Sequence, residues 1–179
     1  MKNVLVIATS PRHKSNSEAL ADAFLQGAQA AGNTGEKVTL KDKDIRFCRG
    51  CMACHKLGHC VIDDDAAAIV GKMHDADVIV FATPIYYYEM CGQMKTLLDC
   101  ANPLYEGDYH FNDIYLLTAA ADDEPSTPER ARIGLTGWID CFPRAQLKGT
   151  VFAGGVNDAG EVAGHKALTE AYQMGLAIR

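Results

Sequence analysis

Five short apolar runs recur along the chain, and between them the apolar positions shift to a helical spacing. Residues 2–8 (KNVLVIA) form a continuous run rich in β-branched side chains, the pattern of a strand covered on both faces. This run is expected to be the first and central strand. Ser15-Asn16-Ser17-Glu18 then reads as a helix start, with Ser15 at the cap and Glu18 three residues on. Leu20, Ala23, Phe24 and Ala28 follow at helical spacing until Gly32 stops the helix. Glu36–Leu40 is a short second strand, and the connection from Lys41 to Ile62 is too long for an ordinary strand-to-helix turn. Asp63-Asp64-Asp65 opens a helix through about Met73, and Ala76–Ala82 is the next buried strand, ended by Thr83-Pro84. Gly92–Ala101 is helical and Asp113–Thr118 is a fourth strand. A polar segment from Asp122 to Pro128 precedes a helix through about Phe142. Thr150–Ala153 is the fifth strand, Gly154-Gly155 ends it, and Val162–Ile178 closes with a helix.

Five strands alternating with five helices predict a three-layer α/β domain with a parallel sheet and right-handed crossovers. Such sheets bind ligands at the carboxyl ends of their strands, which directs attention to the loops after strands one to four.

The 179 residues suit one domain, 1–179, carrying a cysteine-rich insertion at about 41–62. Hydrophobic residues at 48% exclude a disordered chain. Seventeen Lys and Arg against 23 Asp and Glu leave a net charge of −6, so a nucleic-acid backbone is not the expected partner. No apolar run approaches the roughly 20 residues of a membrane span, and Val4–Ala8 is too short for a signal-peptide core. A cytoplasmic protein is expected, with no membrane partner. Seven cysteines, an odd number, rule out a complete set of internal disulfides as their sole explanation, so thiol, metal or cluster chemistry enters.

The loop after strand one, Thr9 to Ser17, gathers hydroxyls, Arg12 and a helix N-terminus. Unpaired N–H groups and the positive dipole end favour phosphate there, and Arg12 can pair with it. The alternative is a well-capped helix beside a solvated Arg. Neither glycine fingerprint for nucleotides is present, so a single terminal phosphate fits better than a nucleoside triphosphate. Ser10-Pro11-Arg12-x-x-Ser15-Asn16-Ser17 resembles the phosphate loop of the NADPH-dependent FMN reductase-like branch of the flavodoxin-like flavoproteins. Thr9 departs from it, standing where many relatives have Gly. The resemblance implies a flavodoxin-like sandwich with strand order 2-1-3-4-5 and an FMN phosphate on Ser10, Arg12, Ser15, Asn16 and Ser17.

After strand three, Pro84, Ile85, Tyr86, Tyr87 and Tyr88 lead a segment in which three consecutive tyrosines cannot all face a core. Their flat amphipathic faces suit a planar heterocycle or a dimer contact, and the two uses can coexist. Pro84-x-Tyr86 followed by Gly92-x-x-Lys95 is similar to the family's isoalloxazine loop. Lys95 and Asp99, four apart, read as a surface ion pair. Ala119-Ala120-Ala121-Asp122 is expected to close the third side of the flavin site through Ala120 and Asp122. His13 stands in the phosphate loop itself.

Cys48-x2-Cys51-x2-Cys54-x5-Cys60 brings four thiolates into 13 residues, which meets the four-thiolate demand of a [4Fe–4S] cluster. Zinc through Cys51, Cys54, Cys60 and His55 or His59, or reduced structural thiols, are the alternatives. The spacing resembles the compact motif of the iron–sulfur flavoproteins, although relatives without a cluster carry a similar Gly58-x-Cys60 ending and acidic pair. Asp63, Asp64 and Asp65 complement a helix dipole, and Cys91, Cys100 and Cys141 read as packed small hydrophobes.

The resemblance implies an FMN-dependent oxidoreductase with NADPH or NADH as transient donor and a small-molecule acceptor. No side chain serves as nucleophile, and the protein forms a homodimer or homotetramer. The rivals are an iron–sulfur flavoprotein, a flavodoxin-like electron carrier for a protein partner, and an interaction module that has lost flavin.

Overall fold

The computed structural model describes all residues but Glu106. Strands β1 (Asn3–Ala8), β2 (Thr34–Thr39), β3 (Val78–Tyr86), β5 (Asp113–Ala119) and β6 (Gln146–Ala153) form a parallel sheet in the order β2-β1-β3-β5-β6. A two-residue strand β4 (Glu89–Met90) folds back antiparallel on β3. Apart from β4 this is the expected flavodoxin-like order. The middle strand is β3, however, not β1. The chain steps outward from β1 to β2 and then crosses to the other side of β1, which leaves β1 second from the edge.

Alternating side chains send β1, β3 and β5 residues to opposite faces. Leu5, Ile7, Ile79, Phe81 and Ile114 pack under helices α3 (Asp65–Asp75), α4 (Gly92–Cys100) and α5 (Glu129–Ile139). Val4, Val6, Val78, Val80 and Val151 pack under α1 (Asn16–Ala30) and α6 (Lys166–Leu176). The two outer helices of this face meet closely at Gly27 and Gly175.

Ser15 caps α1 as its spacing predicts, its Oγ accepting from the Glu18 N–H at 3.2 Å. Glu18 does not return the bond. Its carboxylate accepts from Lys37 Nζ at 2.9 Å instead and ties α1 to the edge strand β2. The cysteine connection contributes one further short helix, α2 (Cys54–Leu57), stopped by Gly58 at φ 72°.

Three boundaries depart from the sequence pattern by four residues each. β3 continues through Thr83-Pro84 to Tyr86, because β1 ends at Ala8 opposite Ala82 and no strand on that side needs the missing proline N–H. β6 starts at Gln146 rather than Thr150, since an edge strand tolerates polar, half-exposed positions. α6 starts at Lys166, and residues 156–165 form an irregular strap. Among the described residues no helix is long and apolar enough to cross a membrane.

Candidate functional site

The β1–α1 loop, the end of β3 and the segment after β5 converge on one cleft of about 240 Å³. It lies between β1 and β3, where successive crossovers leave in opposite directions and an open α/β sheet presents its binding crevice. Ser10, Arg12, Ser15, Asn16 and Ser17 line one end, and Pro84, Ile85, Tyr86 and Ala120 line the other.

At the polar end Ser10, Ser15 and Ser17 are buried, with the Ser15 and Ser17 hydroxyls 3.5 Å apart. The N–H groups of Asn16 and Ser17 sit in the first turn of α1, where no carbonyl lies four residues back to receive them. Arg12 is exposed, and its Nη1 donates to the Asn157 carbonyl at 2.8 Å. Buried hydroxyls, helix N–H groups and a guanidinium suit a phosphate monoester. The opposite end is floored by Ala119, Ala120 and Ala121, whose small side chains leave room for a flat ring. Ala120 is pinned by bonds from its N–H to Ala153 O at 3.0 Å and from Val156 N–H to its own carbonyl at 2.9 Å.

A buried polar knot joins the two predicted cofactor loops. The Thr9 hydroxyl donates to Ala82 O at 3.0 Å and lies 3.2 Å from Cys91 Sγ, while Cys91 N–H donates to the Thr83 hydroxyl at 3.1 Å. Thr9 thus adds a side-chain tie between the loops.

Three predicted contacts stand outside the cleft lining. Tyr87 and Tyr88 are the two turn residues of the β3–β4 hairpin, at φ 52° and 64°. This type I′ geometry leaves Tyr87 99% exposed, while Tyr88 is half exposed with its side chain beside the Asp122 carboxylate. Asp122 instead closes the turn that leads to α5, accepting from Thr127 Oγ1 at 2.9 Å and Glu124 N–H at 3.3 Å. Those donors hold its carboxyl below the usual range. His13 is exposed, and Lys95 donates to Asp99 at 2.6 Å in an exposed pair, as its spacing predicts.

The cleft also has a wall that the sequence reading overlooked. Val156, Asn157 and Ala159, from the strap after β6, line the cleft as well, Asn157 beside Arg12 and Val156 beside Ala120. The signal was present in Gly154-Gly155 and Asn157-Asp158-Ala159-Gly160, a turn-rich stretch at the carboxyl end of the fifth main strand. Asn16, which lines the cleft, also ties this wall to α1: its Nδ2 donates to Asp158 O at 3.0 Å, and its Oδ1 accepts from Gly160 and Val162 N–H at 3.1 and 3.2 Å.

The four clustered cysteines line a second hollow, of about 360 Å³, at the far end of α4. Cys48 and Cys60 sulfurs accept from Gly50 and Ile62 N–H at 3.4 Å each, and Cys54 Sγ accepts from Asn102 Nδ2 at 3.1 Å. Gly50 and Met52, both at positive φ, turn the backbone around the hollow. Among the described residues no three His, Cys, Asp or Glu side chains converge closely enough to hold a single metal ion. The predicted acidic run anchors this loop: Asp64 accepts from Ala66 and Arg46 N–H, and Asp65 from Asp44 N–H and Lys43 Nζ. The Asp44 and Lys43 bonds lower the Asp65 pKa.

Cys100 joins this hollow as a fifth thiol. Burial, followed by Asp64 and the neighbouring Cys48 and Cys60, pushes its thiol up to about 11. Cys91 and Cys100 are buried as predicted, but Cys141, on the turn after α5, is exposed.

Against known proteins, the NADPH-dependent FMN reductase family matches residues 2–124. The chain belongs to this family. An iron–sulfur flavoprotein of Archaeoglobus fulgidus is 35% identical over 99 residues, 55% of this chain and 44% of that protein. The chain spans about half the length of the iron–sulfur flavoproteins it matches. A Bacillus subtilis protein named as an NAD(P)H-dependent FMN-containing oxidoreductase is 25% identical over 180 residues, 96% of this chain and 95% of that one. In fold, the chain resembles an azoreductase from Bacillus anthracis (TM-score 0.74, 20% identity, 99% and 100% of the two chains). It likewise resembles an NAD(P)H:quinone oxidoreductase from Methanothermobacter marburgensis (TM-score 0.72, 16% identity, 98% and 96%).

Proposed function

We propose that this protein is an FMN-dependent oxidoreductase that takes electrons from a transiently bound NADPH or NADH and passes them to a small-molecule acceptor. The observation that carries the reading is the single cleft in which a phosphate-type loop (Ser10, Arg12, Ser15, Ser17) faces a ring-sized apolar end (Pro84, Ile85, Tyr86, Ala120) at the sheet's switch point. Bound FMN supplies the hydride-accepting chemistry. The chain's part is to hold the phosphate by Ser17, Arg12 and the α1 N-terminus, to seat the ring on the alanine floor, and to leave one ring face open for donor and acceptor. Protein purified in the dark is expected to be yellow and to oxidise NADPH or NADH only with FMN present. Colourless protein that takes up no added FMN overturns the reading.

A homodimer or homotetramer is part of this proposal. The solvent-facing Tyr86, Tyr87 and Tyr88 beside the cleft offer apolar surface that a second copy would cover. Light scattering at micromolar concentration showing a flavin-loaded monomer would refute it. Seven free cysteines suit a reducing compartment, and we place the protein in the cytoplasm.

A second reading rests on a separate observation. Four cysteine sulfurs share one hollow, and three of them accept N–H bonds of the kind that stabilise and tune cluster thiolates. In this reading Cys48, Cys51, Cys54 and Cys60 hold a [4Fe–4S] cluster, which suits a hollow too open for one ion, and the protein is an iron–sulfur flavoprotein. Any single Cys→Ser change among the four should then abolish the broad visible absorption while FMN stays bound. Less than about one equivalent of iron after anaerobic reconstitution rejects it.

A further inference from the structure

We infer that the strap of residues 156–162, latched by Asn16, is the element that selects FMN over flavins extended beyond the phosphate. The inference rests on the FMN reading and assigns the selectivity to residues outside the phosphate loop's hydroxyls.

The strap leaves β6 and runs along the cleft, where Val156, Asn157 and Ala159 line it, Val156 tied to Ala120 and Asn157 to Arg12. Its position is set from the α1 side. Asn16, at the first helical residue and 7% exposed, joins its side-chain amide to three backbone groups of the strap, Nδ2 donating to Asp158 O and Oδ1 accepting from the Gly160 and Val162 N–H groups. Arg12 adds the fourth tie, to the Asn157 carbonyl. Within the strap, Glu161 Oε2 accepts from the Asn157 and Asp158 N–H groups at 2.6 and 2.9 Å, so the segment is braced by its own hydrogen bonds.

Two consequences follow for a ligand. A phosphate monoester ends against this wall, whereas a dinucleotide must carry a second phosphate and an adenosine through the place the strap occupies. The strap also carries the Asp158 and Glu161 carboxylates, one and four residues beyond Asn157, whose carbonyl Arg12 holds. A second phosphate would meet their negative charge. Asn16 is therefore a positioning residue: the bonds its side chain makes all run to the strap, and it acts through them.

The test is titration of flavin-free protein with FMN, FAD and riboflavin, for the wild type, Asn16→Ala and Glu161→Gln. The wild type is expected to bind FMN at least tenfold more tightly than FAD. Asn16→Ala should reduce that ratio at least tenfold and change riboflavin affinity less than threefold. Glu161→Gln keeps a carbonyl acceptor for the two N–H groups and removes the charge, so it should raise FAD affinity and leave FMN affinity within threefold. A wild type that binds none of the three overturns the FMN reading and the inference with it. Equal FMN and FAD affinity in the wild type, or equal loss of all three flavins in Asn16→Ala with no gain of FAD in Glu161→Gln, overturns the inference alone. Should Asn16→Ala fail to fold, the Glu161→Gln titration decides.

Discussion

Replacing Gly27 by alanine sets two well-characterised effects against each other, and the structure says which wins. Gly27 lies inside α1, where alanine is normally the better helix former by about 0.8–1 kcal/mol. A Cβ there would lie 2.0 Å from the Tyr172 carbonyl oxygen and 2.9 Å from the Leu176 nitrogen, both backbone atoms of α6. Ordinary contact begins near 3.4 Å, so the helices would have to part by more than about 1 Å. Neither neighbour is a side chain that can rotate away. Overpacking of a filled core costs about 1–3 kcal/mol, and backbone against backbone belongs at the upper end. The net change is a loss of about 2 kcal/mol, which for a chain of this length lowers Tm by about 4–8 °C. Gly137, in α5, is the control, since a Cβ there meets nothing within 4 Å. Gly137→Ala should therefore raise Tm by about 1–4 °C, through helix propensity alone. Differential scanning calorimetry of the two variants beside the wild type measures both. A Gly27→Ala protein that melts at or above the wild-type temperature refutes the close approach of α1 and α6.

The Arg12→Ala, Ser17→Ala double variant removes a charge-assisted donor and a buried hydroxyl from the phosphate end. At about 1.5–3 kcal/mol for each hydrogen bond to a charged group, the loss of both should lower FMN affinity by at least about 100-fold, and unchanged affinity by fluorescence quenching would sink the phosphate assignment. Cys100 makes stability fall in alkali. Its thiol is raised from the ordinary 9.0 to about 11, so above pH 9 the unfolded chain gives up this proton while the native state keeps it. Between about pH 9 and 11 the protein should lose on the order of 2 kcal/mol from this group, and Cys100→Ala should flatten that part of the curve in urea titrations. The Asp65 carboxyl acts in the opposite range, being held low by the Asp44 N–H and Lys43. Its anchoring of the cysteine loop is present above the usual carboxylate pKa and is lost as pH falls through its lowered value, which proteolysis of residues 41–62 across an acid titration would reveal.

Local patterns were enough to determine the order of elements, the Ser15 cap and the buried character of β1 and β3, because each depends on residues within a few positions of one another. The parallel character of the sheet likewise followed from strands alternating with helices, whereas the order of its strands came from the family resemblance. What only the tertiary structure decided are pairings between distant segments. Asn16 looks like a ligand contact in its own loop, and its amide also bonds to backbone some 145 residues away. Cys100 reads as a packed helix residue and stands at the cysteine hollow because α4 ends there. Tyr87 and Tyr88 read as ring contacts, but the hairpin formed when Ile85 and Tyr86 pair with Met90 and Glu89 turns them to solvent. Long-range hydrogen bonds carry no signature in the spacing of either partner. The sequence thus located the loops of the site, while the direction of each side chain within them was settled by what the fold placed opposite.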